Sequence, residues 1–106
     1  MENMEMLKLF SCFINEELED AEKYAKQAVK WKDIRSDIAE AFSNLSKQEI
    51  SHYQALGDME LKLIKYAADD GSGLGKEEMA VYEFLKECET ERHCKVKKWQ
   101  DMYKEM

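Results

Sequence analysis

Glu49 and His52 in "LSKQEISHYQAL" stand three residues apart. On an α-helix that spacing sets a carboxylate and an imidazole side by side, one turn apart. Such a pair can hold a cation, the Glu bridging and the His giving a ring nitrogen. A carboxylate from a facing helix would add a further ligand, and Glu17 in "INEELEDAEKYAKQA" is placed to supply it. An oxygen-rich set with one imidazole favours iron or manganese over a structural zinc. The same residues admit a reading without metal. A buried layer of Glu17, Glu49 and His52 can be neutralised by Arg92 in a fork geometry, and would then set helix register and perform no chemistry.

Three helical segments must position these residues. The first, about 3–30, carries an apolar seam of Leu7, Phe10, Ile14, Ala21, Tyr24, Ala28 and Trp31, interrupted by Glu17. The spacing alternates three and four, as in helices that pack knobs into holes. The second, about 33–68, begins at Asp33 as its N-cap. Its seam reads Ile34, Ile38, Ala41, Leu45, Leu56, Met59, Leu63 and Tyr66, interrupted by Glu49 and His52. The stretch "DDGSGLG" stops that helix. The third, about 76–104, aligns Val81, Leu85, Cys88, Arg92, Val96, Trp99 and Tyr103, with Glu89 and Glu91 on the shoulders of Arg92.

Short turns make sequential helices antiparallel neighbours. With the first turn near Lys32, Glu17 lies 15 residues before it and Glu49 lies 17 after it. At ~1.5 Å rise per residue, their heights differ by only ~3 Å. With the second turn near Ser72, His52 lies 20 residues before and Arg92 lies 20 after. The polar interruptions therefore meet at one level, with apolar layers above and below.

The chain has 106 residues, which suits a single domain over 1–106. It is 44% hydrophobic and 37% charged, with no proline and four glycines, a composition for long helices. A net charge of -7 argues against nucleic acid and anionic membranes as partners. No apolar run approaches the ~20 residues that span a bilayer, and the start of the chain is acidic where a signal peptide is basic. The expected location is the cytoplasm. Three cysteines without Cys-x-x-Cys spacing give neither a disulfide framework nor a thiolate zinc site. Cys12 and Cys88 read as core residues.

The residues carry a resemblance. "INEELEDAEKYAKQA" followed by "LSKQEISHYQAL" resembles the first half of a ferritin-like domain of the rubrerythrin type, over about residues 7–60. In that family a Glu on the first helix is followed seven residues later by a Tyr, with a Glu-x-x-His roughly thirty residues further on. Glu17 with Tyr24, then Glu49 with His52, match that order. The resemblance implies a dinuclear iron site with Glu17 and Glu49 as carboxylate ligands and His52 as imidazole ligand. Tyr24 would be a hydrogen-bond partner behind them. The second half departs from the family. There is no fourth helix, the long crossover is replaced by "DDGSGLG", and the residue three before His93 is Thr90, not Glu. In overall shape the chain is similar to small helical proteins of bacterial prophages.

The expected fold is all-α, an antiparallel three-helix bundle of ferritin-like character. Two routes would complete the site. Glu89 or Glu91 could supply a fourth ligand within one chain, or two chains could pair. Apolar edge around Phe42, Met59 and Trp99 points to a homodimer. The expected function is a ferritin-like protein binding iron or manganese, and a di-iron-type oxidoreductase if the site is complete. The alternative is a helical structural or interaction module, with an unidentified protein partner, whose Glu/His/Arg layer fixes register.

Overall fold

The computed structural model describes residues 2–69, 71 and 73–106. Three helices make up the chain: α1 (Glu2–Trp31), α2 (Ser36–Asp69) and α3 (Lys76–Glu105). No strand occurs among the described residues. The array is a rod, 56 × 18 × 18 Å. α1 packs against both of its neighbours, whereas the backbones of α2 and α3 hardly approach each other. Contacts between α1 and α2 run antiparallel, as the Ser46–Ala21 and His52–Glu17 pairs require. Those between α1 and α3 run parallel, through Asn15–Arg92 and Lys32–Tyr103.

The helix ends fall within a few residues of the expected ones. Asp33 is not the N-cap of α2. It lies exposed in the turn, and the carbonyl of Arg35 accepts the amide of Ala39 at 3.0 Å. The turn tightens instead through the Trp31 carbonyl, which accepts the amides of both Ile34 and Arg35. Before α3, Gly71 takes φ +85, a conformation that disfavours a side chain. The Glu78 carboxylate folds back to accept the Gly75 amide at 2.8 Å and caps the helix start. Asp70 and Ser72, on which the second turn was reckoned, lie outside the described residues.

The core runs along α1. Leu7, Phe10, Ile14, Leu18, Ala21, Ala25 and Ala28 are all buried. Leu18 and Ala25 therefore take the places expected for Glu17 and Tyr24. On α2 the whole buried face lies one residue later than expected. Ala39, Ser43, Ser46 and Glu60 are buried, while Ile38, Leu45, Met59, Leu63 and Tyr66 are exposed, as is Ile34 in the turn before the helix. The reason is steric. Ala21, Ala25 and Ala28 of α1 and Ala39, Ser43 and Ser46 of α2 are all small, so packing these two rows on each other lets the backbones close together. The Ser46 hydroxyl then reaches the Ala21 carbonyl at 2.7 Å and accepts the Gln100 amide at 2.9 Å. The buried Ser46 hydroxyl is thus satisfied both as donor and as acceptor. The two α2 rows are both heptad seams. One faces α1, and the other, heavier in large apolar residues, is left on an open side.

Gly57 interrupts α2 on the packed row, yet an added Cβ would meet nothing within 4 Å. A mid-helix glycine costs about 0.8–1.0 kcal/mol relative to alanine. Gly57→Ala should therefore raise unfolding free energy by about 0.5–1 kcal/mol, read from urea denaturation followed by circular dichroism. An unchanged or lowered midpoint would mean that the space beside Gly57 is filled.

Candidate metal centre

Glu17, Glu49 and His52 come together, each offering a ligand atom, with those atoms all within 4.8 Å of one another. His52 Nδ1 stands 3.4 Å from Glu17 Oε2 and 3.7 Å from Glu49 Oε1. α1 delivers Glu17, and consecutive turns of α2 deliver Glu49 and His52. The matched heights expected from residue counting hold. The surroundings differ from the expected sealed layer. The two carboxylates are half-buried at the α1–α2 edge, and the His52 side chain is 59% exposed. This follows from the one-residue rotation of α2, which turns the Glu49/His52 row toward the open side. The residues behind it, Ile14 and Leu18 of α1 and Ile50 and Tyr53 of α2, form the apolar backing.

The electrostatics of the cluster are those of a site short of positive charge. Glu17 pushes the Glu49 carboxyl above the usual carboxylate range, because their hydrogen bond favours a protonated Glu49. Burial and like-charge repulsion act in the same direction, and His52 pulls the opposite way. Glu17 Oε2 is cut off from solvent, and the one basic group beside it is His52 Nδ1 at 3.4 Å, too poorly aligned for a good hydrogen bond. A buried oxygen without a donor costs free energy unless something positive meets it.

The remaining candidates are placed elsewhere. Tyr24 stacks on Phe42, ring centroids 6.2 Å apart. Arg92 donates to Asn15 Oδ1 at 3.2 Å, so it ties α3 to α1 beside the cluster and does not neutralise Glu17 or Glu49. His93 meets the Tyr53 ring edge-on at 5.1 Å. Glu91 is exposed. Cys12 is exposed as well, and Cys88 is half-buried; neither is a sealed core residue.

Glu89 belongs to a second cluster that the sequence reading missed. It is 2% exposed, as is Glu60, and Lys86 lies between them. The Lys86 ammonium contacts Glu60 Oε1 and donates to Glu89 Oε1 at 2.9 Å. This triad, not Arg92, is the charged link between α2 and α3. A signal was present: Glu60 stands seven residues after Tyr53 and fourteen after Ser46, on one heptad row. Burial draws the Lys86 ammonium down, but the two carboxylates outweigh it and hold it above its usual range. Burial pushes the Glu89 carboxyl up, against the pull of Lys86. A carboxyl raised in the folded state gives stability that is present at low pH and lost as pH rises through its folded pKa. Glu89→Gln should therefore show a higher thermal midpoint than wild type at pH ~7, with the gap closing as pH falls toward ~4. A midpoint below wild type across that range would show that the ionised carboxylate is needed.

No helix among the described residues is long and apolar enough to cross a membrane. Comparison of the chain with family models, with curated proteins and with solved structures finds no match.

Proposed function

We propose that this chain is a ferritin-like metal-binding protein that holds iron or manganese at Glu17, Glu49 and His52, and that it works as a homodimer. The observation that carries the reading is the convergence of Glu17, Glu49 and His52, whose ligand atoms all lie within 4.8 Å of one another, with Glu17 Oε2 cut off from solvent. Two carboxylates and one imidazole suit an iron or manganese ion better than a structural zinc ion, which takes a closed tetrahedral set rich in Cys and His. Their number also supports the homodimer. A dinuclear carboxylate centre uses two Glu-x-x-His pairs and two further carboxylates. This chain supplies one of each, half of such a centre.

The parts of the half-centre have separable roles. Glu17, on the helix that carries the core, holds one carboxylate against the apolar cluster. The Glu49 carboxyl holds a proton more readily than an ordinary carboxyl, because of Glu17, and a cation would compete with that proton. His52, the most exposed of the three, is free to turn its Nδ1 toward an ion. Bound iron would supply redox chemistry with dioxygen or peroxide, making the protein a di-iron-type oxidoreductase. The expected setting is the cytoplasm.

The test is metal analysis of protein purified without chelator, or reconstituted anaerobically with Fe(II) or Mn(II). Wild type should hold about one ion per chain, as a half-share of a dinuclear centre. Glu49→Ala should lose it while keeping its helical circular dichroism. Wild-type protein that stays free of metal after reconstitution would overturn the reading.

A further inference from the structure

We infer that the open α1–α2 face closes on the same face of a second copy only when divalent cations neutralise the carboxylates caught between them, so that metal loading is the switch for dimerisation. The inference rests on the reading of Glu17, Glu49 and His52 as metal ligands.

The surface is specific. Along α2, Ile38, Leu45, His52, Met59 and Tyr66 follow one another at intervals of seven, and Phe42, Glu49, Leu56 and Leu63 do the same. Together they form a complete heptad seam, the pattern by which one helix receives another. Its inner edge is partly covered by α1, where Phe42 stacks on Tyr24 and Leu56 packs against the core, while its outer row is left open among the described residues. Ile38, Leu45, Met59, Leu63 and Tyr66 remain 37–70% exposed. Exposed apolar surface of this continuity marks an interface. The α1 flank continues it through Leu9 and Phe13, 52% and 43% exposed.

The occupant is argued from the centre of that surface. A partner of other composition would have to bring cationic groups to meet Glu17 and Glu49. A second copy brings the missing half of the centre. A two-fold axis through the cluster would set two Glu17, two Glu49 and two His52 around one point, since a two-fold interface presents the same patch from both sides. Six protein ligands then surround a space for two ions.

Charge makes closure conditional. Without metal, the two faces would bring four carboxylates into a contact that expels water. Like charges repel more strongly there, and each loses its hydration. The apolar rows attract, and the acidic centre opposes them. Two divalent cations carry four positive charges and cancel the four carboxylates. The cation that fills the centre is therefore also the group that lets the seam close.

The experiment measures the mass of the full chain by light scattering after size exclusion, first with chelator and then with Mn(II). Wild type should be a monomer with chelator and a dimer with Mn(II), the change saturating near one ion per chain. The double variant Glu17→Gln/Glu49→Gln removes the repulsion while keeping size and shape. It should bind no Mn(II), yet dimerise with or without it. Wild type that binds Mn(II) but is a dimer with chelator, or a monomer in both conditions, overturns the switch and leaves the metal reading standing. Wild type that binds no Mn(II) overturns both. A double variant that stays monomeric throughout overturns the charge argument.

Discussion

Lys86→Met should be among the most destabilising single substitutions in this chain. Lys86 is the cation between Glu60 and Glu89, each 2% exposed. Methionine keeps most of the side-chain length but leaves two carboxylates facing each other without a counter-charge. Removing one partner of a buried ion pair costs about 3–5 kcal/mol, because the other is left buried and unpaired. The Lys86 side chain is 30% exposed, so water can partly hydrate the gap and the lower end of that range applies. Against a total stability of about 5–15 kcal/mol, a loss of ~3 kcal/mol is large. The control is the same change in a Glu60→Gln/Glu89→Gln background, where there is no charge left to strand. There Lys86→Met should cost less than ~1 kcal/mol. Urea unfolding of all four proteins gives the coupling directly. Equal losses in the two backgrounds would mean that Lys86 acts through packing over the Tyr82 ring and not through its charge.

The triad also explains how α3 is held. Only Glu89 and Val96 of α3 are buried, so this helix does not dock through an apolar stripe. It is tied at intervals instead. The triad sits toward one end, Arg92 with Asn15 near the middle, Gln100 with Ser46 beyond it, and Lys32 with the Tyr103 carbonyl at the other end. Two of these ties, the triad and Gln100 with Ser46, join α3 to α2, and the other two join it to α1 and the turn that follows α1. The charged bridge between helices lies at Glu60, Lys86 and Glu89, whereas the expected register layer was Glu17, Glu49 and His52 with Arg92, and there Arg92 pairs with Asn15 instead.

What the sequence could reveal divides along a physical line. Height along a helix depends only on residue count and rise, so the meeting of Glu17 with Glu49 and His52 was legible from the turns. The direction in which a helix faces depends on which of two rows packs, and α2 carries two. The row with the larger apolar residues, Leu45 and Met59 among them, reads as core by hydrophobicity. The row that packs holds Ala39, Ser43 and Ser46, which read as indifferent. Close approach to Ala21, Ala25 and Ala28 selects the small row, and no pattern within α2 alone contains that information. The burial of Glu60 and Glu89 was hidden for a related reason. A carboxylate in a heptad row reads as an interruption until its cation, 26 residues away at Lys86 in the case of Glu60, is known to stand opposite.

The two rows can be told apart by substitution, and Leu18→Ala against Met59→Ala makes the sharper contrast. Leu18 is 1% exposed, within the cluster of Phe10 and Ile14 that backs Glu17, Glu49 and His52. Truncating it removes buried surface and leaves a cavity beside Glu17, at a cost of about 2–5 kcal/mol. Met59 is 51% exposed on the open seam. In metal-free protein its truncation should change stability by no more than ~0.5 kcal/mol, as for ordinary surface positions. With Mn(II) present the order should invert for assembly. Met59→Ala, which takes an apolar knob from the face that a second copy would cover, should weaken dimerisation at unchanged monomer stability. Leu18→Ala should reduce metal retention only in proportion to the fraction unfolded. Chemical denaturation with chelator, paired with mass measurement across a Mn(II) titration, separates the two effects. A Met59→Ala variant as unstable as Leu18→Ala in chelator would place the larger apolar row in the core of the single chain, and the open face would then have to be sought elsewhere.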